Sequence, residues 1–190
     1  MSIVDRISKS LDSQNLQEFT ELVNIASINI NDVFANGLLH HMISKYPELP
    51  LEFYRVVIEN PNTNINYSSP DILPPIIRVT RKDIIDLLIS KPALNVNVEL
   101  TGNRNLAIYA IEQKNLTLLE MFIKTGRLDI TQNSIVNYAM SKNMDAFRML
   151  IGLLEPYMCN NLKAVDHSIR TNNPEALDLL LGVGCGLDTA

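Results

Sequence analysis

The chain has 190 residues and a formal net charge of -5, enough length for one domain or one small repeat array with a buried core. Without a block of clustered Lys or Arg it carries no electrostatic footprint for a nucleic-acid backbone or an anionic membrane, and neither partner is expected. Hydrophobic residues make up 46% with no apolar run of membrane-spanning length and no basic-plus-apolar leader. The expectation is an unexported intracellular, cytoplasmic protein, in a host's cytoplasm if its source is a virus or bacterium.

In chain order the sequence predicts six helix-turn-helix copies, at about 3–31, 32–66, 67–97, 98–131, 132–158 and 159–190. Each opens with a short helix. Asp5, Asn36, Asp71, Asn105, Ser134 and Asn161 stand where a side-chain oxygen accepts from the first-turn amides. The faces that follow are Ile7 and Leu11, Leu39 and Ile43, Ile76 and Ile77, Ala107, Ala110 and Ile111, Val136 and Ala139, then Val165 and Ile169. Tight turns at Ser13-Gln14, Thr80-Arg81, Lys114, Lys142 and Thr171-Asn172 lead into a longer helix.

That second helix carries a stripe with i, i+3, i+4 spacing, one face of a helix. It begins at Phe19, Tyr54, Ile85, Leu119, Phe147 and Leu177 and continues in Leu22-Val23, Val57-Ile58, Leu88-Ile89, Phe122-Ile123, Leu150-Ile151 and Leu180-Leu181. The stripes recur at roughly 28 to 35 residues, a repeat-protein period. Recurrence in every copy marks the stripe as core rather than as a partner-binding face. Pro61, Pro92 and Gly126 then stop the helix by different means, Pro by its missing N–H and Gly by tolerating a left-handed residue. A polar finger follows: Asn29-Ile30-Asn31, Asn64-Ile65-Asn66, Asn95-Val96-Asn97 and Asp129-Ile130-Thr131. Its first Asn or Asp is expected to fold onto nearby amides, and its Ile or Val to point inward. Tyr46-Pro47-Glu48-Leu49-Pro50 predicts a longer, kinked turn in the second copy, and Pro74-Pro75 a short first helix in the third.

The fourth copy resembles the ankyrin-repeat family. Asn105-Leu106-Ala107-Ile108-Tyr109-Ala110 stands for that family's Thr-Pro-Leu-His-x-Ala, and Leu118-Leu119-x-Met121-Phe122-Ile123-x-x-Gly126 for its second helix and terminator. Leu179-Leu180-Leu181-Gly182-Val183-Gly184-Cys185-Gly186-Leu187-Asp188 is similar to the family's closing motif. Only His40 keeps the first-helix histidine, and the Thr-Pro start is absent throughout. The resemblance covers residues 3 to 188 and implies an all-α, ankyrin-like solenoid of stacked helix-turn-helix repeats with short extended fingers. It also implies a non-catalytic protein-protein interaction module, scaffold or adaptor, that binds through its concave face and fingers.

No nucleophile elbow, phosphate loop or dinucleotide motif is present, and no cofactor is implied. His40 and His41 are adjacent on a helix and point about a hundred degrees apart, which suits a structural His40 and a groove-facing His41 rather than a metal pair. Cys159, His167 and Cys185 lack zinc spacing, so the cysteines read as packed, reduced thiols. The candidate partner-binding residues are Phe34, His41, Lys45, Tyr67, Leu100, Arg104, Tyr109, Gln113, Tyr138, His167 and Arg170, large or charged side chains without a core role in this register. An alternative is a structural or regulatory homo-oligomer through the array ends. Leu177, Leu179, Leu180, Leu181 and Leu187 lie just before the polar end Asp188-Thr189-Ala190, so a homo-dimer would use the last copy.

Overall fold

Caps and apolar spacing divide the chain into short helices that never exceed ten residues among those described. The structure is a computed structural model describing residues 1–25, 27–102 and 104–186. In the first sixty residues lie α1 (Ile3–Asp12), α2 (Leu16–Val23), α3 (Gly37–Lys45) and α4 (Leu51–Ile58). The middle holds α5 (Pro75–Arg78), α6 (Lys82–Ile89), the strands β1 (Glu99–Leu100) and β2 (Arg104–Asn105), α7 (Leu106–Glu112) and α8 (Leu116–Lys124). After a 3₁₀ turn at Gln132–Ser134 come α9 (Ile135–Lys142), α10 (Met144–Ile151), α11 (Pro156–Leu162), α12 (Ala164–Arg170) and α13 (Pro174–Gly182). β1 and β2 pair antiparallel, Leu100 opposite Arg104. The chain is mostly helical, as an all-α fold requires. α11 is an additional helix that apolar spacing did not indicate, because Cys159 is its single buried residue.

The fold divides into two compact units, Met1–Asn95 and Val96–Ala190. In the first, α2, α4 and α6 pack in succession and α3 packs beside α5. In the second, α8, α10 and α13 form one row, with α7, α9 and α12 beside it.

The turn chemistry recurs. Gln14, Lys114 and Asn172 adopt left-handed backbone at φ 51°, 55° and 51°. Each is followed by an Asn whose amide bonds back into the first helix: Asn15 to Ser10 O at 2.8 Å, Asn115 to Ala110 O at 2.8 Å and Asn173 to Ser168 O at 2.9 Å. The same three Asn side chains cap α2, α8 and α13 by accepting from Glu18, Leu118 and Ala176 amides, and Asn143 caps α10 through Ala146. One residue therefore closes the turn and starts the helix.

Of the expected first-helix caps, Asn105 is one, buried and accepting from the Ile108 amide at 2.9 Å. Asp5 is instead the third helical residue of α1, in a reciprocal capping box with Ser2. Asn36 and Ser134 hold the cap positions without a side-chain bond. Asp71 lies outside α5, which starts after Pro74, and Asn161 lies inside α11. Proline and left-handed residues set those two starts, since both fix backbone torsions without a side-chain acceptor.

The second-helix stripe forms the core. Phe19, Tyr54, Leu88, Leu119, Phe122, Phe147 and Leu180 are completely buried. In the third copy the buried set shifts to Ile84, Leu87 and Leu88, with Ile85 and Ile89 half-buried. In the sixth, Ala176 and Leu180 are buried while Leu177 is half-buried and Leu181 is 50% exposed. α13 packs on α10 and α12 alone among the closely packed described helices, so its far side stays open. Ile169, on α12, was expected in the core and is 52% exposed. Leu187 and the polar end after it lie outside the described residues.

The proline turn of the second copy is held by Arg81. Its guanidinium donates to Pro47 O at 3.0 Å and to Leu49 O, pairs with Asp83, and sits 5.7 Å above the Tyr54 ring. Tyr54, fully buried, donates to Tyr46 O at 2.9 Å, and burial pushes its phenol up to about 12. α5 has only four residues, as Pro74-Pro75 predicts.

Candidate functional site

The fingers show the two roles of their asparagines. The first residue folds locally: Asn29, Asn64 and Asp129 accept from the amides of Asn31, Asn66 and Thr131 at 3.1, 3.0 and 2.9 Å. Ile30, Ile65, Val96 and Ile130 point inward and are buried. The second residue reaches the next finger, a role the sequence reading did not foresee. In the first unit Asn31 donates to Asn62 O at 2.6 Å and accepts from the Asn64 amide at 2.8 Å. Asn66 does the same with Ala93 O and the Asn95 amide, both at 2.8 Å. In the second unit Asn97 donates to Arg127 O and accepts from Asp129, again at 2.8 Å each. The spacing of these asparagines was the available signal, since a carboxamide carries a donor and an acceptor side by side.

Within the first unit, Phe34 and His41 stack on each other with centroids 3.7 Å apart and an interplanar angle of 12°. They form one half-buried aromatic face rather than two separate anchors. Gly37, between them in the chain, has φ +81°, and a Cβ there would meet Asn31 O at 3.0 Å, so the close approach it allows is to the finger backbone. Burial, then the charge of Lys45, lowers the His41 pKa. Lys45 itself is exposed one turn on. His40 is the structural histidine expected: it is buried, with Nε2 3.1 Å from Leu73 O. Tyr67 packs edge-on against its ring at 5.5 Å. Burial is the leading cause that holds His40 below the usual imidazole range.

In the second unit several candidates converge. Arg104, on β2, pairs with Glu112 at 3.2 Å, and Tyr138, on α9, donates to the other Glu112 oxygen at 3.2 Å. Glu112 thus joins two predicted residues. It is exposed at the end of α7, one position before the predicted Gln113, which is exposed too and caps the helix. Ser141 lies three residues beyond Tyr138 on the same side of α9, and its Oγ is 2.7 Å from His167 Nε2. Burial, then the Arg170 charge, lowers the His167 pKa. Tyr138 is raised, chiefly by burial and next by Glu112, so it stays a protonated donor at neutral pH. Tyr109 and Leu100 are half-buried and Arg170 is exposed.

α7, α9 and α12 therefore present a row of donors, acceptors and rings. Among the described residues no group of three or more His, Cys, Asp or Glu is placed to hold a metal ion. No helix there is long and apolar enough to cross a membrane.

One expectation is overturned. Cys159 and Cys185 are joined as a disulfide, their Cα atoms 5.6 Å apart and both side chains buried. The additional helix α11 brings Cys159 to the chain after α13, a proximity that separation by 26 residues does not reveal.

No protein-family model matches the chain, and neither does any curated protein or solved structure.

Proposed function

We propose that the chain is an ankyrin-like repeat array that binds a protein partner, without catalysis, through its short helices and fingers. The observation that carries this reading is the row Arg104–Glu112–Tyr138 with Ser141–His167 on α7, α9 and α12. Its side chains pair with one another at the surface, and so are held in place before a partner arrives. Ordered side chains lose less conformational entropy on association, and Tyr and Arg are frequent interface anchors.

The test is affinity capture with cross-linking from the native cell, followed by binding measurements on the captured protein. Tyr138→Ala, Tyr109→Ala or Arg104→Ala is expected to weaken binding by about 1 kcal/mol or more where the residue is an anchor. Glu120→Ala and Lys124→Ala, on the second-helix side, are expected to be nearly silent. Loss of binding in the second set with none in the first would place the functional surface on the second-helix side.

The exposure of Ile169 and Leu181, 52% and 50%, favours a second reading, self-association through the last helix pair. Light scattering over a concentration series separates the two: a dimer abolished by Leu181→Lys supports it, and a monomer throughout refutes it.

A further inference from the structure

Two segments of the second unit are joined by one covalent bond. α11 buries a single residue, Cys159, and residues 181–186 bury a single residue, Cys185. Beyond the disulfide, α11 packs on α12, and its Leu162 O accepts from Asn137 Nδ2 at 2.8 Å. The end of α13 closes on itself through the Cys185 amide and Leu180 O at 3.0 Å. α10, by contrast, buries Ala146, Phe147, Leu150 and Ile151. Met158, beside Cys159, also forms one wall of an apolar groove of about 220 Å³ with Ile123, Leu128 and Leu153.

We propose that Cys159–Cys185 is a redox-sensitive latch, opened by a dithiol reductant, that controls whether α11 and residues 183–186 stay docked. One thiolate of the reductant attacks a cystine sulfur and breaks the S–S bond, giving a mixed disulfide and one protein thiolate that takes up a proton. The reductant's second thiolate then displaces the other protein sulfur, likewise protonated. The protein gains two hydrogens and two electrons, and the reductant leaves as a disulfide. Both sulfurs are buried, so attack requires the terminal segments to open locally first. Once open, neither segment has another buried side chain to return it, and the groove loses its Met158 wall.

Hydrogen exchange read by mass spectrometry, with and without dithiothreitol on the whole chain, tests this. The untreated protein is expected to show no alkylatable thiol after denaturation and, after treatment, two. Exchange in peptides covering 156–162 and 181–186 is expected to rise tenfold or more, with peptides from α8 and α10 unchanged. The Cys159→Ser, Cys185→Ser double variant is expected to match the reduced protein and to ignore dithiothreitol. Free thiols in the untreated protein, unchanged exchange in 156–162 on reduction, or an equal rise in α8 and α10 would each overturn the latch. The last result would make the bond a staple of the whole unit.

Discussion

Two fingers of the second unit end differently. Asn97 spans to the following finger with a donor and an acceptor, to Arg127 O and the Asp129 amide. Thr131, at the corresponding place one finger later, turns its hydroxyl back to Asp129 Oδ1 at 2.6 Å. A hydroxyl is shorter than a carboxamide and has one rotatable proton, so it serves its own turn where Asn reads a neighbour's backbone. Past Thr131 the ties move to the helices. Asn137 reaches Leu162 O and Asn173 reaches Met140 O, Ser141 meets His167, and Arg148 pairs with Glu175 while both stay about half exposed. Exposed ion pairs contribute about 0 to 1 kcal/mol. The finger-stitched part is thus held by fingers that read one another's backbone, and the last helices by part-buried Asn-to-carbonyl bonds, exposed contacts and a disulfide.

The largest effect should come from the core that both regions share. Leu119→Ala or Phe122→Ala removes a fully buried side chain and should cost about 2 to 5 kcal/mol in urea unfolding. Leu181→Ala, half exposed, should stay within about 0.5 kcal/mol. Equal losses at both positions would erase the difference between middle and end.

The stitch comes next. Asn97→Ala deletes the two bonds to the following finger and should destabilise by about 1 to 2 kcal/mol, whereas Thr131→Ala should change stability by about 0.5 kcal/mol or less. Asn97→Asp keeps the acceptor and loses the donor, so it should fall between. Asn143→Ala, which removes the α10 cap, should cost about 1 kcal/mol by the same assay.

The helical stripe and the finger frame were legible because burial on one helix face imposes a period that a single sequence displays. Leu119 and Ile130 show this: both are buried as spacing requires. What stayed hidden was set by tertiary neighbours. Leu181 repeats the stripe yet faces solvent, since no further described helix closes over α13. Asn31, Asn66 and Asn97 were visible as a pattern, but their partners lie about thirty residues away on a neighbouring finger. At the candidate site Arg104, Tyr138 and His167 were legible as large polar residues outside the core. Glu112 and Ser141, which connect them, were not, because an exposed Glu or Ser carries no signal until its partners are placed.

A smaller effect follows from pH. Burial lowers the pKa of His40, His41 and His167 from the ordinary 6.5, so the folded chain binds fewer protons than the unfolded one in that window. Stability should be full above pH 6.5 and fall as pH drops through it toward the folded values. His40→Gln should flatten that slope in urea midpoints taken between pH 8 and 5, the most buried of the three having been removed.

The stitch itself is read most directly at one proton, the Asp129 amide, which donates to Asn97 Oδ1 at 2.8 Å although the residue is exposed. Residue-resolved hydrogen exchange should find that amide protected in the parent chain and exchanging near the free-peptide rate in Asn97→Ala, while the Thr131 amide, bonded within its own finger at 2.9 Å, stays as it was. An Asp129 amide that exchanges equally fast in both proteins would contradict the account, because the finger would then stand without its neighbour.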